Sequence, residues 1–249
     1  MRLSSFTGVL AGISLVSGQV ITTCKKPGTF ALTFDDGPNG YGNKVADILD
    51  KYKVKGTFFV NGHNRQCIYD YADEIKARFK AGHQIAAHSW NHPSFPTRTD
   101  AQMKQQLEFV DEALKKIIGV KPRYFRLPKG EGNSHVWNYI KKRGYQIVGW
   151  NLDTNDWKKL SVDTMIRQTY APIYKTYPKS YISLAHEHLP NTPKTVAKVV
   201  PRLIKEGWKL VTVAECMGDK HPYRSIGKPS KRDKTWTCKG KPGPVKAWQ

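Results

Sequence analysis

Three stretches of this chain combine residue types that can do chemistry together. Thr33-Phe34-Asp35-Asp36-Gly37-Pro38 sets two carboxylates side by side at the end of a run of β-type residues. Neighbouring carboxylates repel and lose hydration in a cleft, a cost that a cation or a protonated partner relieves. Asp-Gly is also a common turn pair, so this stretch alone is compatible with a solvated turn. His88-Ser89-Trp90-Asn91-His92 spaces two imidazoles four apart. Across a helical turn they can meet one ion, and with one aspartate they make three ligands with room for water, the design of a catalytic zinc site. Alone, two such histidines read as surface or hydrogen-bonded packing. Arg126, Pro128, Asp153, Asp156 and His186 complete the set.

The elements that must position these groups follow from hydrophobic periodicity. Thr29-Phe34, Gly56-Val60, Gln84-Ala87, Tyr124-Leu127, Gln146-Leu152, Tyr181-Ala185 and Leu210-Ala214 read as strands. Between them lie helical patterns at Asn43-Lys53, Asp73-Lys80, Asp100-Ile118, Ser134-Arg143, Val162-Tyr174 and Pro193-Lys205. Thr99 and Thr192 are cap candidates, Gly119 is a stop signal, and Pro201 should kink its helix. Strands separated by helices imply parallel pairing through crossovers. The fold class is therefore α/β, a sheet of about seven parallel strands, open or closed. Polar, titratable residues follow strands one, three, four, five and six, all at the same end. In a closed barrel that end carries the functional groups.

Length and composition bound the rest. A chain of 249 residues suffices for one large domain. Arg2, the apolar run Phe6 to Val16 and the small residues Ser17-Gly18 read as a secretory signal over residues 1–18, with a mature start at Gln19. No apolar stretch is long enough to span a membrane. Residues 19–218 form the domain, and residues 219–249, rich in Lys, Gly and Pro, read as a basic irregular tail. The formal net charge is +21, which draws anionic surroundings by long-range attraction. The lysines are scattered and no nucleic-acid motif accompanies them, so a solvated basic surface is the expectation and nucleic acid is not an expected partner. Four cysteines, Cys24, Cys67, Cys216 and Cys238, match no zinc spacing and allow two disulfides in any of three pairings.

The motifs T-F-D-D-G-P, H-S-x-x-H, R-x-P-x-G, D-x-x-D-W and S-L-x-H, in this order, resemble those of the polysaccharide deacetylases that share the NodB homology domain, carbohydrate esterase family 4, most of all the secreted fungal chitin deacetylases. The resemblance runs from about Thr29 to Glu215 and implies an irregular (β/α) barrel. It implies that Asp36, His88 and His92 bind one divalent metal, usually zinc, with cobalt or another transition metal as alternatives. It makes Asp35 the general base and His186 the general acid. Arg126 would orient Asp35, Asp156 would hold His186, the backbone N–H of Lys129 would face the oxyanion, and Trp157 and Leu184 would line the acetyl pocket. It favours Cys24 pairing with Cys216, leaving Cys67 with Cys238. That first pair meets a geometric objection, since a residue before strand one and a residue after a full strand seven lie at opposite ends of parallel strands.

The implied activity is hydrolysis of N-acetyl groups on N-acetylglucosamine residues of chitin or chitooligosaccharides, by a secreted, monomeric enzyme. The same site could serve an acetylxylan O-acetyl esterase or a peptidoglycan deacetylase. A secreted carbohydrate-binding protein without catalysis is the reading outside enzymes, and the retained Asp35, Asp36 and His186 weigh against it. Two positions and one insertion depart from the family pattern. Lys129 stands where an aromatic residue is frequent, Glu187 replaces the commoner aspartate, and Gly130-Glu131-Gly132-Asn133 is an unusual insertion beside the site.

Overall fold

The structure is a computed structural model that describes residues 20–245; the expected signal segment 1–18 lies outside them. The strands are β1 Thr29–Ala31, β2 Thr33–Gly37, β3 Thr57–Val60, β4 Gln84–Ala87, β5 Val120–Pro122, β6 Tyr124–Phe125, β7 Gln146–Ile147, β8 Leu152–Asp153, β9 Tyr181–His186, β10 Lys209–Leu210 and β11 Tyr223–Ile226. The α-helices are α1 Gly40–Lys51, α2 Ala72–Lys80, α3 Asp100–Ile118, α4 Ser134–Lys142, α5 Val162–Met165, α6 Asn191–Lys205 and α7 Val213–Met217.

The large sheet is parallel throughout and runs β10-β1-β9-β2-β3-β4-β6-β7, with β8 also paired to β9. Its registers describe a deformed barrel. β1 and β2 are one strand interrupted at Leu32, since Phe30 pairs with Tyr181 and Phe34 with Ala185 at the same offset. The expected strand Gln146-Leu152 is also interrupted. Its first part, β7, pairs with β6, and its last part, β8, pairs with β9. That split strand closes the ring. Ile21 fills the breach, donating its N–H to Ile147 and accepting from Gly149 N–H.

Strand alternation sorts the apolar residues into two layers. Ala31, Phe59, Ala86, Tyr124, Val148 and Ile182 fill the barrel interior with Val213 and Ala214 of α7. Phe30, Phe34, Phe58, Ile85, Phe125 and Ile147 face outward into the larger core under the helices. α3 begins with a capping box between Thr99 and Gln102 and ends at Gly119 in the left-handed region, φ 76°. Both signals are local and legible in the chain.

Several expectations need correction. The seventh strand stops at Leu210. Thr212 and Glu215 form a capping box that starts α7 instead, and the helix turns under the barrel. Its Val213 and Ala214 N–H groups donate to Thr57 and Gln84, the first residues of β3 and β4. The capping-box spacing was present in the sequence and overrides the β-type character of Val211 and Val213. Residues 162–174 do not form one α-helix; α5 passes into a π-helical turn, Ile166–Tyr170, and a 3-10 turn, Ala171–Ile173. α6 starts at Asn191, two residues before the expected Pro193, and contains Pro201. The tail is not irregular throughout, because β11 pairs antiparallel with β5.

The bend into α7 also answers the objection to the first disulfide. Cys216 lies at the bottom of the barrel, where its carbonyl accepts from Lys25 and Lys26, and it is bonded to Cys24. Cys67 is bonded to Cys238. The Cys24–Cys216 bridge closes a loop of 192 residues. Such a crosslink removes much of the freedom of the unfolded chain. The double variant Cys24→Ser/Cys216→Ser should lose about 2–5 kcal/mol of unfolding free energy. Denaturant titration measures this, and an unmoved midpoint would contradict it.

Candidate active site

Adjacent residues of a regular strand point to opposite faces, so Asp35 and Asp36 could not both face one cavity on an unbroken β2. A bulge resolves this: Asp35 pairs with Phe59 and Gly37 with Val60, leaving Asp36 as the extra residue, at φ 67°. The left-handed backbone is costly for a residue with a Cβ and swings the second carboxylate back toward the first.

His88 and His92 are not on a helical turn. They sit on the loop leaving β4, with Ser89 at φ 73° and His92 at φ 61°. The loop is held by Gln106 of α3, whose side-chain oxygen accepts from Trp90 and Asn91 N–H at 3.0 Å each. The outcome is a buried triad. One ligand atom each from Asp36, His88 and His92 lies within 4.8 Å of the others. Asp36 Oδ1 is 3.7 Å from His88 Nε2 and 3.3 Å from His92 Nε2.

The protonation of this group suits a cation. His88 Nδ1 is 2.8 Å from the Arg126 carbonyl, which can only accept, so Nδ1 is the nitrogen that carries a proton there and Nε2 is the one free to serve as a ligand atom in the neutral ring. Burial, opposed by the charge of Asp36, pulls His92 down to about 3, which keeps the ring neutral. For Asp36, burial alone would raise the pKa. The surrounding imidazoles of His92, His88, His186 and His188 outweigh it and hold the carboxyl well below the usual carboxylate range. Asn64 Nδ2 donates to Asp36 Oδ1 at 3.0 Å and to Asn61 Oδ1 at 3.2 Å. An ionised carboxylate and two imidazoles within one buried cleft are the donor set of a divalent transition-metal site.

Asp35 has a different partner. Arg126 Nη1 donates to Asp35 Oδ1 at 2.8 Å and to Thr33 Oγ1 at 2.6 Å. Its Nη2 and Nε donate to the carbonyls of Gly149 and Val148. These carbonyls lie in the break between β7 and β8, so the interruption that closes the barrel also supplies acceptors for the arginine. The guanidinium lies 4.3 Å from the Phe59 ring centroid and 5.6 Å from that of Trp150. A guanidinium held by four hydrogen bonds and stacked on an aromatic ring has little freedom to leave.

His186 ends β9. Its Nδ1 is 2.7 Å from Asp156 Oδ1, and its backbone N–H donates to Asp156 Oδ2 at 2.7 Å. Thr192, read from sequence as a helix cap, donates its hydroxyl to Asp156 Oδ2 at 2.9 Å; α6 starts at Asn191 after Pro190. Burial would lower the His186 pKa. The hydrogen bond and charge of Asp156 overcome it and raise the pKa to about 9.

Of the remaining expected residues, Leu184 is buried on β9 and shares the interior face with Ile182 and His186. Trp157 is 51% exposed beside Asp156. Lys129 is exposed in the tight turn Pro128–Gly130, at φ 58°, near enough for its charge to lower the His92 pKa.

One group went unnoticed in the sequence and another was given no role there. His188 Nδ1 is 3.7 Å from Asp36 Oδ2; the only hint was its spacing of two from His186. Glu187, noted only as a departure, is fully buried, and both of its carboxylate oxygens accept from Nη1 of Arg78 on α2, at 3.1 and 2.8 Å. It also accepts from Asn39 N–H, which pins the segment that follows Asp36.

Comparison with known proteins gives a consistent picture. The family described as polysaccharide deacetylase matches residues 22–148. A chitin deacetylase from Pestalotiopsis sp is 33% identical over 227 residues, spanning 86% of this chain and 76% of that protein. The peptidoglycan-N-acetylmuramic acid deacetylase PdaA of Bacillus subtilis is 34% identical over 204 residues, spanning 78% of this chain and 73% of that protein. The solved chitin deacetylase from Colletotrichum lindemuthianum superposes with a TM-score of 0.77 at 30% identity, covering 83% of this chain and 96% of that one.

The raised His186 pKa has a measurable consequence in the metal-free protein. A pKa above the unfolded value of about 6.5 stabilises the fold fully below pH 6.5 and is lost as pH rises through about 9. The stability difference between the native chain and His186→Ala should therefore shrink across that window. NMR titration of the His186 ring should give a midpoint near 9, and Asp156→Asn should bring it down. A midpoint indifferent to Asp156→Asn would rule out the carboxylate as the cause.

Proposed function

The chain belongs to the polysaccharide deacetylase family, and from that premise we propose that it hydrolyses the N-acetyl groups of N-acetylglucosamine residues in chitin or chitooligosaccharides, releasing acetate. The observation that carries this reading is the convergence in one cleft of the Asp36, His88 and His92 triad with the Asp35–Arg126 and His186–Asp156 pairs.

The triad would hold the cation, with zinc the choice that best suits one carboxylate and two imidazoles. When bound, such an ion polarises a carbonyl and lowers the pKa of its water toward about 7. The chain's own groups then divide the proton transfers. Asp35, acceptor-only and oriented by Arg126, takes a proton from the attacking water. The water oxygen bonds to the acetyl carbon, and the Lys129 backbone N–H donates to the carbonyl oxygen as it becomes negative. His186 still holds its proton at neutral pH, so it can deliver it to the nitrogen as the C–N bond breaks. Asp156 keeps the ring oriented throughout. Leu184 and Trp157 line the space for the acetyl methyl.

Both disulfides fit an oxidising compartment, which supports export of the chain. No helix among the described residues is long and apolar enough to cross a membrane. The formal charge of +21 favours a second reading, peptidoglycan of an anionic wall, because neutral chitin gains nothing from it.

Acetate release from chitooligosaccharides, acetylxylan and peptidoglycan, with zinc and with a chelator, tests the proposal. Chitooligosaccharides should react fastest and only with metal. No release from any of the three would refute the deacetylase reading, and faster release from peptidoglycan would move the substrate. His88→Ala should lose metal and activity together. His186→Ala should keep metal while kcat drops roughly 10²–10⁴-fold. Lys129→Tyr should raise activity on partly deacetylated, cationic oligomers relative to fully acetylated ones, because a positive charge near the site is removed. Unchanged selectivity would dismiss that role.

A further inference from the structure

The loop that carries both histidines is strained, with two non-glycine residues in the left-handed region. Such backbone persists only where its surroundings hold it. Part of that hold comes from the far end of the chain. Trp90 Nε1 donates to the carbonyl of Pro242 at 2.8 Å, and Asn91 Nδ2 donates to the carbonyl of Gly243 at 2.6 Å, each across 152 positions. Trp90 and Asn91 are two of the three residues between His88 and His92, and both are buried.

The segment making these contacts is itself anchored. Cys238 is bonded to Cys67, and Lys241 N–H donates to the Cys238 carbonyl at 3.1 Å. Lys241 Nζ then sits 5.4 Å from the Trp90 ring centroid, 5.6 Å from Tyr69 and 5.5 Å from Phe109. The Trp90 ring packs so tightly on Gly62 that an added Cβ would lie 1.9 Å from it. Trp90 is thus held on three sides: by Gly62, by Gln106 through its backbone, and by the C-terminal segment through its indole. This segment lies beyond residues 22–148, the stretch matched by the family.

We propose that Lys241–Gly243 is a strap that positions the metal-binding loop, so that the affinity of this chain for its cation depends on residues near its C-terminus. The proposal rests on the metal reading of Asp36, His88 and His92. The described hydrogen bonds of the strap go to Trp90 and Asn91, through which it acts, and its loss lets the loop relax out of the left-handed conformation that aims His92.

The test compares the full chain with one ending after Lys241. That truncation keeps the Cys67–Cys238 bridge and the Lys241 stack but removes both carbonyl acceptors. Zinc affinity is read by competition with a chromophoric chelator, and folding of the metal-free forms by thermal unfolding. The shortened chain should fold and bind zinc about tenfold or more weaker, the size expected for loss of support behind a metal ligand. Trp90→Phe, which removes the indole N–H, should weaken zinc in the same direction. Combining it with the truncation should add less than the sum of the two. A folded, shortened chain with undiminished zinc affinity overturns the strap, even if its melting temperature falls. If truncation prevents folding, Trp90→Phe decides, and unchanged affinity there overturns the strap. A full chain that takes up no zinc overturns the metal reading, and the strap with it.

Discussion

Two neighbouring carboxylates facing one buried cleft are the constraint around which this molecule is arranged. Unpartnered, Asp35 and Asp36 would repel each other and forfeit hydration. The fold gives each its own counterweight. Asp35 has the guanidinium of Arg126, and Asp36 has a ring of imidazoles and the Asn64 amide. The bulge in β2 sets both on the same face, and the left-handed backbone at Asp36 is the strain that this arrangement carries.

Each counterweight is tied to a structural irregularity. Arg126 is oriented by the Val148 and Gly149 carbonyls, released where the strand Gln146-Leu152 parts into β7 and β8. His88 is oriented by the Arg126 carbonyl, so one residue fixes Asp35 with its side chain and His88 with its backbone. Just past the end of β9, the strand paired with β2, Glu187 reaches Arg78 while His186 and His188 on either side of it approach Asp156 and Asp36. Burial raises the Glu187 pKa against the pull of Arg78. A buried pair of this kind is weak evidence of stability but strong evidence of a defined position, since removing one partner strands the other's charge. An added Cβ at Gly37 would lie 1.8 Å from Glu187, and one at Gly42 would lie 2.4 Å from Arg78. These two glycines therefore leave room for the pair.

The periodicities of the chain determined much of this by themselves. Alternation and helical spacing located six of the seven strand positions, the parallel α/β class and the end of the sheet at which Asp35, Asp36, His88, Arg126, Asp156 and His186 gather. That succeeded because crossover connections leave only one arrangement for strands separated by helices. The Thr99 cap and the Gly119 stop were legible because capping is a bond between near neighbours in sequence.

The tertiary structure alone decided the rest, because it depends on groups distant in sequence. Nothing local says that Asp36 is the extra residue of a bulge; only the register against β3 does. Thr192 reads as a cap until Asp156 arrives to accept its hydroxyl. Cys24 and Cys216 looked mismatched until α7 folded back beneath the barrel. The hold of Pro242 and Gly243 on Trp90 and Asn91 has no trace in any local pattern. Backbone carbonyls look alike in sequence, and which donor each one meets is settled only when distant segments pack together.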